Sequence, residues 1–473
     1  MKLHLLLLPL LTLQLAICAE LTAGAGGGSG KPGPLPTPVY DAFKYGAKGD
    51  GKSNDREALQ RAIDACKGSG GLVYLHDGKF LTGQIKLGSD MTLFIAPSAT
   101  LLGIQSTNQS EYPSKKADTS NRNNNACQKR LIWGEGLKNI TITGGGTIDG
   151  QGDFEAWRSR KTKIHESLRP SLLEFARCEK VEVSNITMLR PGMWTQVYLE
   201  CRGLILRKLK VDTGNLSSNR DGMDICDCHD VLIEDCEIKA QDDGICFKSG
   251  NGVGCKDIIV RNCSVDKLGL SAGNGIKFGT ASHGSFVNVL CHNLVVRDTG
   301  NTAFTWESVD GAVIENVEVR DCAVYNAAQV VSVILGERGN SVEGLEKRMG
   351  SVSNVVFKNI TATSDAGSVA SLVSGASGKT VHDIHFSGLR LSFPGGATTV
   401  PATPVEYHGE YPEGTHFGDL PGYAFYVRHA DGVTFTNCEF STKQPDARRW
   451  LATDDVQGLV CKDIKESPVT ARQ

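Results

Sequence analysis

The sequence predicts an all-β chain wound into one right-handed parallel β-helix, with a short helix at its N-terminal end. Three observations carry this expectation. Short strand-like segments return at coil-length intervals, their apolar residues alternate with polar ones, and Gly, Asn and Asp fill the breaks between them.

The repeats are CEKVEVSNITM (178–188), CRGLILRKLKV (201–211), CHDVLIEDCEI (228–238), CKDIIVRNCSV (255–265), DGAVIENVEVR (310–320) and ADGVTFTNCEF (430–440). Each reads as a polar turn, an alternating strand, a polar two-residue corner and a second short strand. Between them lie MDI (223–225), ICF (245–247), IKF (276–278) and FTW (304–306), separated by steps of 22, 31 and 28 residues. Such steps correspond to one coil of a solenoid plus variable loops. Successive coils stack at about 4.8 Å, so equivalent residues form columns. A sandwich would need tight hairpins and a propeller longer four-stranded repeats, and neither pattern is present. Cys236, Cys263, Cys322 and Cys438 recur at one inward position, as a buried ladder of small hydrophobes or as a disulfide network.

The chain ends divide by composition. Residues 1–19, with Lys2 before an apolar run and small residues at Ala16, Cys18 and Ala19, read as a signal peptide; a membrane anchor would need a longer run. Residues 20–38 are a Gly/Pro-rich flexible leader, 39–465 the β-helix domain and 466–473 a tail. Within the domain, residues 54–66 form an amphipathic helix with an Asn54/Glu57 capping box and a stripe of Leu59, Ala62 and Ile63. That helix is placed to cover the open N-terminal rung, whose unpaired edge would otherwise aggregate.

Composition excludes some partners. The 473 residues are 40% hydrophobic and 22% charged, enough for a large core, and a net charge of -3 with a pI near 6.4 gives no general attraction to nucleic acid or anionic membrane. Fifteen cysteines suit an oxidising compartment, without the paired C-x-x-C spacing of a zinc site. Six N-x-S/T sequons, at Asn108, Asn139, Asn185, Asn215, Asn262 and Asn359, are either glycosylation acceptors or turn asparagines.

Three segments on consecutive coils carry acids and amides suited to chemistry: NRDGMDI (219–225), AQDDGICFKSG (240–250) and SAGNGIKFGT (271–280). Stacking MDI on ICF brings Asp221 over Asp242 and Asp243. Carboxylates that close drive at least one pKa upward, which supplies a proton donor and an acceptor at one pH, as a glycosidase requires. Turn residues or calcium ligands are the alternatives from spacing alone.

Over residues 39–465 the sequence resembles glycoside hydrolase family 28, the polygalacturonases of the pectin lyase-like β-helix superfamily. AFKYGAKGDGKSNDREALQRAIDAC resembles the superfamily's opening, NRDGMDI its N-T-D-G block with Arg220 for Thr, and AQDDGICFKSG its D-D block with Gly244 for the usual cysteine. The resemblance implies that Asp242 is the general acid, that Asp221 and Asp243 hold and activate water, and that Asn219 belongs to the substrate site. The family's Gly-His-Gly is Gly273-Asn274-Gly275 here, and an amide cannot titrate. Its Arg-Ile-Lys is replaced by NTAFTWES (301–308), which has no cation.

These departures bear on substrate charge more than on hydrolysis. Glu307 is expected to face the cleft and repel a uronate. Lys248 and Lys277, bracketed by inward Ile and Phe, should point outward on the acid face, as replacement charge or as solvated lysines. Trp306 either stacks on a sugar or packs in a ladder, and His283 is a possible stand-in for the missing histidine. The candidate substrate-binding residues are therefore Asn219, Asn274, Lys248, Lys277, Trp306 and Glu307. No metal or cofactor is expected. The function expected is that of a secreted, monomeric, inverting hydrolase of pectin-type or related polysaccharides, contacting neither nucleic acid nor, once the signal is removed, membrane. A polysaccharide lyase with a lysine base, and a non-catalytic carbohydrate-binding β-helix, are the alternatives.

Overall fold

A computed structural model describes residues 38–116, 128–157, 168–268, 273–338, 344–345, 347–365, 367–406 and 411–467. The signal-peptide and leader expectations fall outside these residues, as does the tail beyond Ser467. The final strand runs Val460–Ser467, two residues past the expected domain end.

Each coil supplies three strands, and each strand pairs in parallel with its counterpart one coil away. Around the acids, one coil comprises Met223–Cys226, His229–Glu234 and Glu237–Ala240, and the next Ile245–Ser249, Cys255–Arg261 and Ser264–Lys267. Met223 pairs with Ile245, Ile245 with Ile276, and Ile276 with Phe304, which is the register that the spacing predicts. The sheet continues in this way from Val39 to Ser467 as a right-handed parallel β-helix.

Alternation decides what enters the core. Met223, Ile225, Ile245, Phe247, Ile276, Phe278, Phe304 and Trp306 point inward and are buried. An aromatic stack runs along the axis: Trp306 lies 4.0 Å from Phe278, centroid to centroid, and 6.3 Å from Phe357, which lies 5.3 Å from Phe386. Just before each of three strands sits a glycine, Gly222, Gly244 or Gly275. A side chain at Gly244 would collide with Val265 and with the Gly275 carbonyl, so close coil approach calls for glycine at this position.

The corners are built from asparagine and aspartate in the left-handed region. Asn262 (φ 55°) donates to Asp235 Oδ1 at 3.0 Å and accepts from Asn293 Nδ2 at 2.8 Å, so corner side chains bond from coil to coil. Asn139 and Asn359 likewise donate their Nδ2 groups, to Asp90 and Asp321. These sequon asparagines have the turn role, with the amide nitrogen already in use.

The N-terminal helix spans Arg56–Cys66 and buries Ala58, Leu59, Ala62, Ile63 and Cys66 against the first coils. The capping-box expectation is corrected. Asn54 Oδ1 accepts from the N–H of Arg56, and Asp55, at the cap position, turns back to accept from Lys48 and Gly49.

Cys236 and Cys263 are register neighbours, and the same column continues through Leu294, Cys322, Ile360 and Leu389 to Cys438. Cysteine shares that column with Leu and Ile, and among the described cysteines all are unpaired and only Cys461 is exposed. They pack as small hydrophobes. A reductant should therefore leave the thermal midpoint unchanged, and thiol titration should find Cys461 reactive in the native protein and the buried thiols only after denaturation. A midpoint that falls on reduction would overturn the ladder.

Candidate active site

The outward residues of the coil containing the strand Met223–Cys226 and of its two successors face a common surface. Asp221, Asp242 and Asp243 converge there, with carboxylate oxygens of all three within 4.8 Å of one another. Backbone bonds between coils hold them: Thr195 donates from both N–H and hydroxyl to the Asp221 carbonyl (3.0 and 2.8 Å), Gly222 donates to the Asp243 carbonyl (2.9 Å), and Gly244 to the Asn274 carbonyl (2.8 Å). Asp221 and Asp243 are buried, whereas Asp242 is partly open to solvent.

Their protonation is split by environment. Burial raises the Asp242 carboxyl above the ordinary range, and the adjacent Asp243 charge adds to this. Burial works against Asp243 as well, but Lys277, Lys248, Lys267 and the Asn274 N–H outweigh it and hold that carboxyl at about 2. Asp221 is pushed well up by burial and by Asp224. Two adjacent carboxyls are thus shifted in opposite directions, Asp242 up and Asp243 down, a division that acid–base hydrolysis can use.

Asp224, absent from the expected site, belongs to it. It points outward between inward Met223 and Ile225, bonds to Lys248, and is raised to about 6 by burial. Lys248 also lies 3.4 Å from Asp221 and 4.3 Å from the ring of Trp194. Trp194 is a partly exposed aromatic on the apolar outer patch of Ala176, Met193, Val197, Leu199 and Cys226. Lys277 lies 3.8 Å from Asp243 and from Glu307, 2.6 Å from Glu413 and 3.0 Å from the Tyr411 hydroxyl. Both lysines point toward the acids, but as buried ion-pair members and not as solvated side chains. The ammonium groups pair with part of the carboxylates, so the cluster carries its own cations.

Three expectations need correction. Trp306 is fully buried in the aromatic stack and offers no face to a sugar. Asn274 is fully buried, and its side chain is committed to protein: Nδ2 donates to Asp243 Oδ1 (3.0 Å), while Oδ1 accepts from the Thr302 N–H (3.0 Å) and the Thr305 hydroxyl (2.9 Å). It orients Asp243, and its buried side chain is not open to a substrate. Glu307 does point to the outer side, but it is fully buried, with burial pushing its pKa well up, so it does not face the cleft. His283 does not join the acids; its Nε2 lies 3.9 Å from Asp310. Asn219 is half-buried with φ 55°, in the bend that leads to buried Arg220, whose guanidinium bonds to the Thr213 and Gly152 carbonyls.

Glu413 and Tyr411 come from a segment far along the chain, ending in a short 3-10 helix Gly414–Phe417 that packs on the outer face. Glu413 carboxylate oxygens accept from Asn274 Nδ2 at 3.3 Å and from Lys277.

Two stability tests follow. Trp306→Ala should destabilise the fold by about 3–5 kcal/mol in denaturant titration, while Trp306→Phe, which keeps the stack, should leave KM at the wild-type level. A raised KM in a stable Trp306→Phe enzyme would restore a substrate role. Glu307→Gln should be nearly neutral, whereas Glu307→Lys sets a second buried ammonium against Lys277 and should cost about 3 kcal/mol or more.

Comparisons with known proteins agree with the fold. The family model for glycosyl hydrolases family 28 matches residues 79–407. A probable polygalacturonase of Vitis vinifera is 32% identical over 233 residues, covering 46% of this chain and 47% of that protein. A probable polygalacturonase of Arabidopsis thaliana is 26% identical over 341 residues, covering 68% and 67%. The chain thus spans about half the length of the first relative and about two thirds of the second. Among solved structures, an exopolygalacturonase from Thermotoga maritima superposes with a TM-score of 0.68 at 22% identity, covering 90% of this chain and 96% of that one. A polygalacturonase from Erwinia carotovora ssp. carotovora gives 0.60 at 19% identity, covering 77% and 96%. With the β-helix and the clustered aspartates already in place, the match over most of the domain shows that this chain belongs to glycosyl hydrolases family 28.

Proposed function

We propose that the protein is a secreted, monomeric glycoside hydrolase that cleaves O-glycosidic bonds in a galacturonan-type or rhamnogalacturonan-like pectic polysaccharide, with inversion at the anomeric carbon. The observation that carries the reading is the convergence of three carboxylates, Asp221, Asp242 and Asp243, within 4.8 Å on one outer face, where burial raises Asp242 while the lysines hold Asp243 down. In the proposed reaction Asp242 gives its proton to the leaving glycosidic oxygen, and Asp243 takes a proton from the attacking water. Asp221, raised by burial, serves as a hydrogen-bonding partner to that water.

The three acids approach more closely than the roughly 6.5–9.5 Å usual between the carboxyls of inverting enzymes. Support for inversion comes from the resemblance and not from spacing. Proton NMR of the first-formed product decides it. Secretion rests on the sequence of residues 1–19. Among the described residues no helix is long and apolar enough to cross a membrane.

A lyase is disfavoured by a specific observation. Lys248 and Lys277, the bases it would need, lie among carboxylates that outweigh burial and raise both well above the ordinary lysine value, so they remain ammonium groups. The same pairing bears on substrate charge. Lys277 is already engaged by Glu413 and Tyr411, and Thr305 and Glu307 flank it in the next coil. The subsite there suits a neutral sugar better than a uronate, since a charge-assisted pair to a carboxylate needs an uncommitted cation.

Asp242→Asn should abolish turnover while the thermal midpoint stays near wild type; an active Asp242→Asn enzyme would remove Asp242 from the role of acid. Reducing-sugar release should be weaker from plain polygalacturonate than from a polymer alternating uronate with a neutral sugar. Efficient cleavage of plain polygalacturonate would overturn the neutral-subsite reading while leaving the hydrolase reading intact.

A further inference from the structure

A third lysine, outside the family-like motifs, sits beside the acids. Lys267 ends the strand Ser264–Lys267 and pairs in register with Ala240, two residues before Asp242. It is 3% exposed, and among the described residues its Nζ has no hydrogen-bond partner. Gly273 places it. A Cβ built on that glycine would lie 2.8 Å from Lys267 Nζ and 2.9 Å from Asp242 Cα, so the ammonium group and the backbone of the acid border the same glycine-sized gap. The charged groups facing Lys267 are Asp243, Asp242, Asp221 and Lys277.

Its isolation is the informative feature. Lys248 is tied to Asp224 and Asp221, and Lys277 to Glu413 and Tyr411. A buried ammonium normally finds a hydrogen-bonded carboxylate, because its desolvation is otherwise uncompensated. Lys267 is instead surrounded by several carboxylates and bonded to none. We propose that Lys267 is a positioning residue of the acid site, a buried cation that acts through Asp242 and Asp243 on the donation and acceptance of protons.

The role follows from where charge moves. During hydrolysis the Asp242 O–H bond breaks as its proton passes to the leaving oxygen and the C–O bond opens. The water oxygen bonds to the anomeric carbon, and its proton goes to Asp243. Asp242 thus becomes a carboxylate next to Lys267, which stabilises the charge as it forms. In the resting enzyme the same ammonium favours the ionised form of Asp243, while burial moves Lys267 itself below the ordinary lysine value. Asn274, which donates its amide N–H to Asp243, does not titrate.

This inference rests on the hydrolase reading, and two readouts separate them. An ammonium lowers the pKa of both carboxyls, so removing it raises both. In the full-length enzyme, Lys267→Met should move both limbs of the kcat/KM–pH profile to higher pH by about one unit or more, seen as an approximately tenfold loss on the acid side. Lys267→Gln should do the same if the methionine variant folds poorly, and Lys267→Arg should return both limbs toward wild type. Carbon-13 NMR titration of aspartate carboxyls, without substrate, should show the same upward shift. Unmoved limbs and unmoved carboxyl titrations in a folded Lys267→Met protein would overturn the proposal. A wild type that hydrolyses no pectic polymer would overturn the hydrolase reading instead, while the carboxyl titration would still report on Lys267.

Discussion

Everything in this molecule depends on the parallel hydrogen-bonded register between successive coils. Because Met223, Ile245, Ile276 and Phe304 are locked in one column, the residue after each of them is locked in the next. Asp224, Cys246, Lys277 and Thr305 therefore share an outward column, and a one-residue slip would exchange it with the core. The acid site is the outer side of a core whose inner side is an aromatic stack. The backbone ladder is common to both, so the carboxylates are held on rigid strands and on the tight bends that feed them.

Parity along the strands makes much of this readable from the sequence. The alternation that turns Lys248 and Lys277 outward also turns Trp306 inward, since it occupies the position of Phe278 in the next coil. The same alternation turns Asp224 outward between Met223 and Ile225. Both directions are encoded in the strand pattern itself. Glu307 shows a different limit. Its direction was readable, but its complete burial depends on packing by other parts of the chain, which no local pattern encodes.

Glu413 and Tyr411 mark the point where sequence reasoning stops. They lie more than 130 residues from Asn274 and Lys277 in the chain, in a segment without strand periodicity, and reach the site only by docking on its outer face. Lys267 was hidden for another reason: within its strand it reads as one more polar residue at a turn, and only the proximity imposed by Gly273 sets it against Asp242. The Asn-for-His change is intelligible from contacts alone. The Asn274 side chain donates to Asp243 and accepts from both Thr302 and Thr305, a combination that a single neutral imidazole cannot supply from one polar end.

The number of charges in the site explains why it can hold a proton donor. Asp221, Asp224, Asp242, Asp243, Glu307 and Glu413 share one largely buried region with Lys248, Lys267 and Lys277. Carboxyl groups outnumber ammonium groups, and an unpaired buried charge costs more than a proton taken up from water. The excess must be carried as neutral acids, and the upward shifts of Asp221, Asp242 and Glu307 express that requirement. Asp243, in the field of all three lysines, is the carboxyl that can remain ionised at least cost. Carboxyls raised above their ordinary range are thus a consequence of an unequal charge count in a dry site, and of the raised aspartates Asp242 is the one with solvent access, which suits the donor role proposed for it.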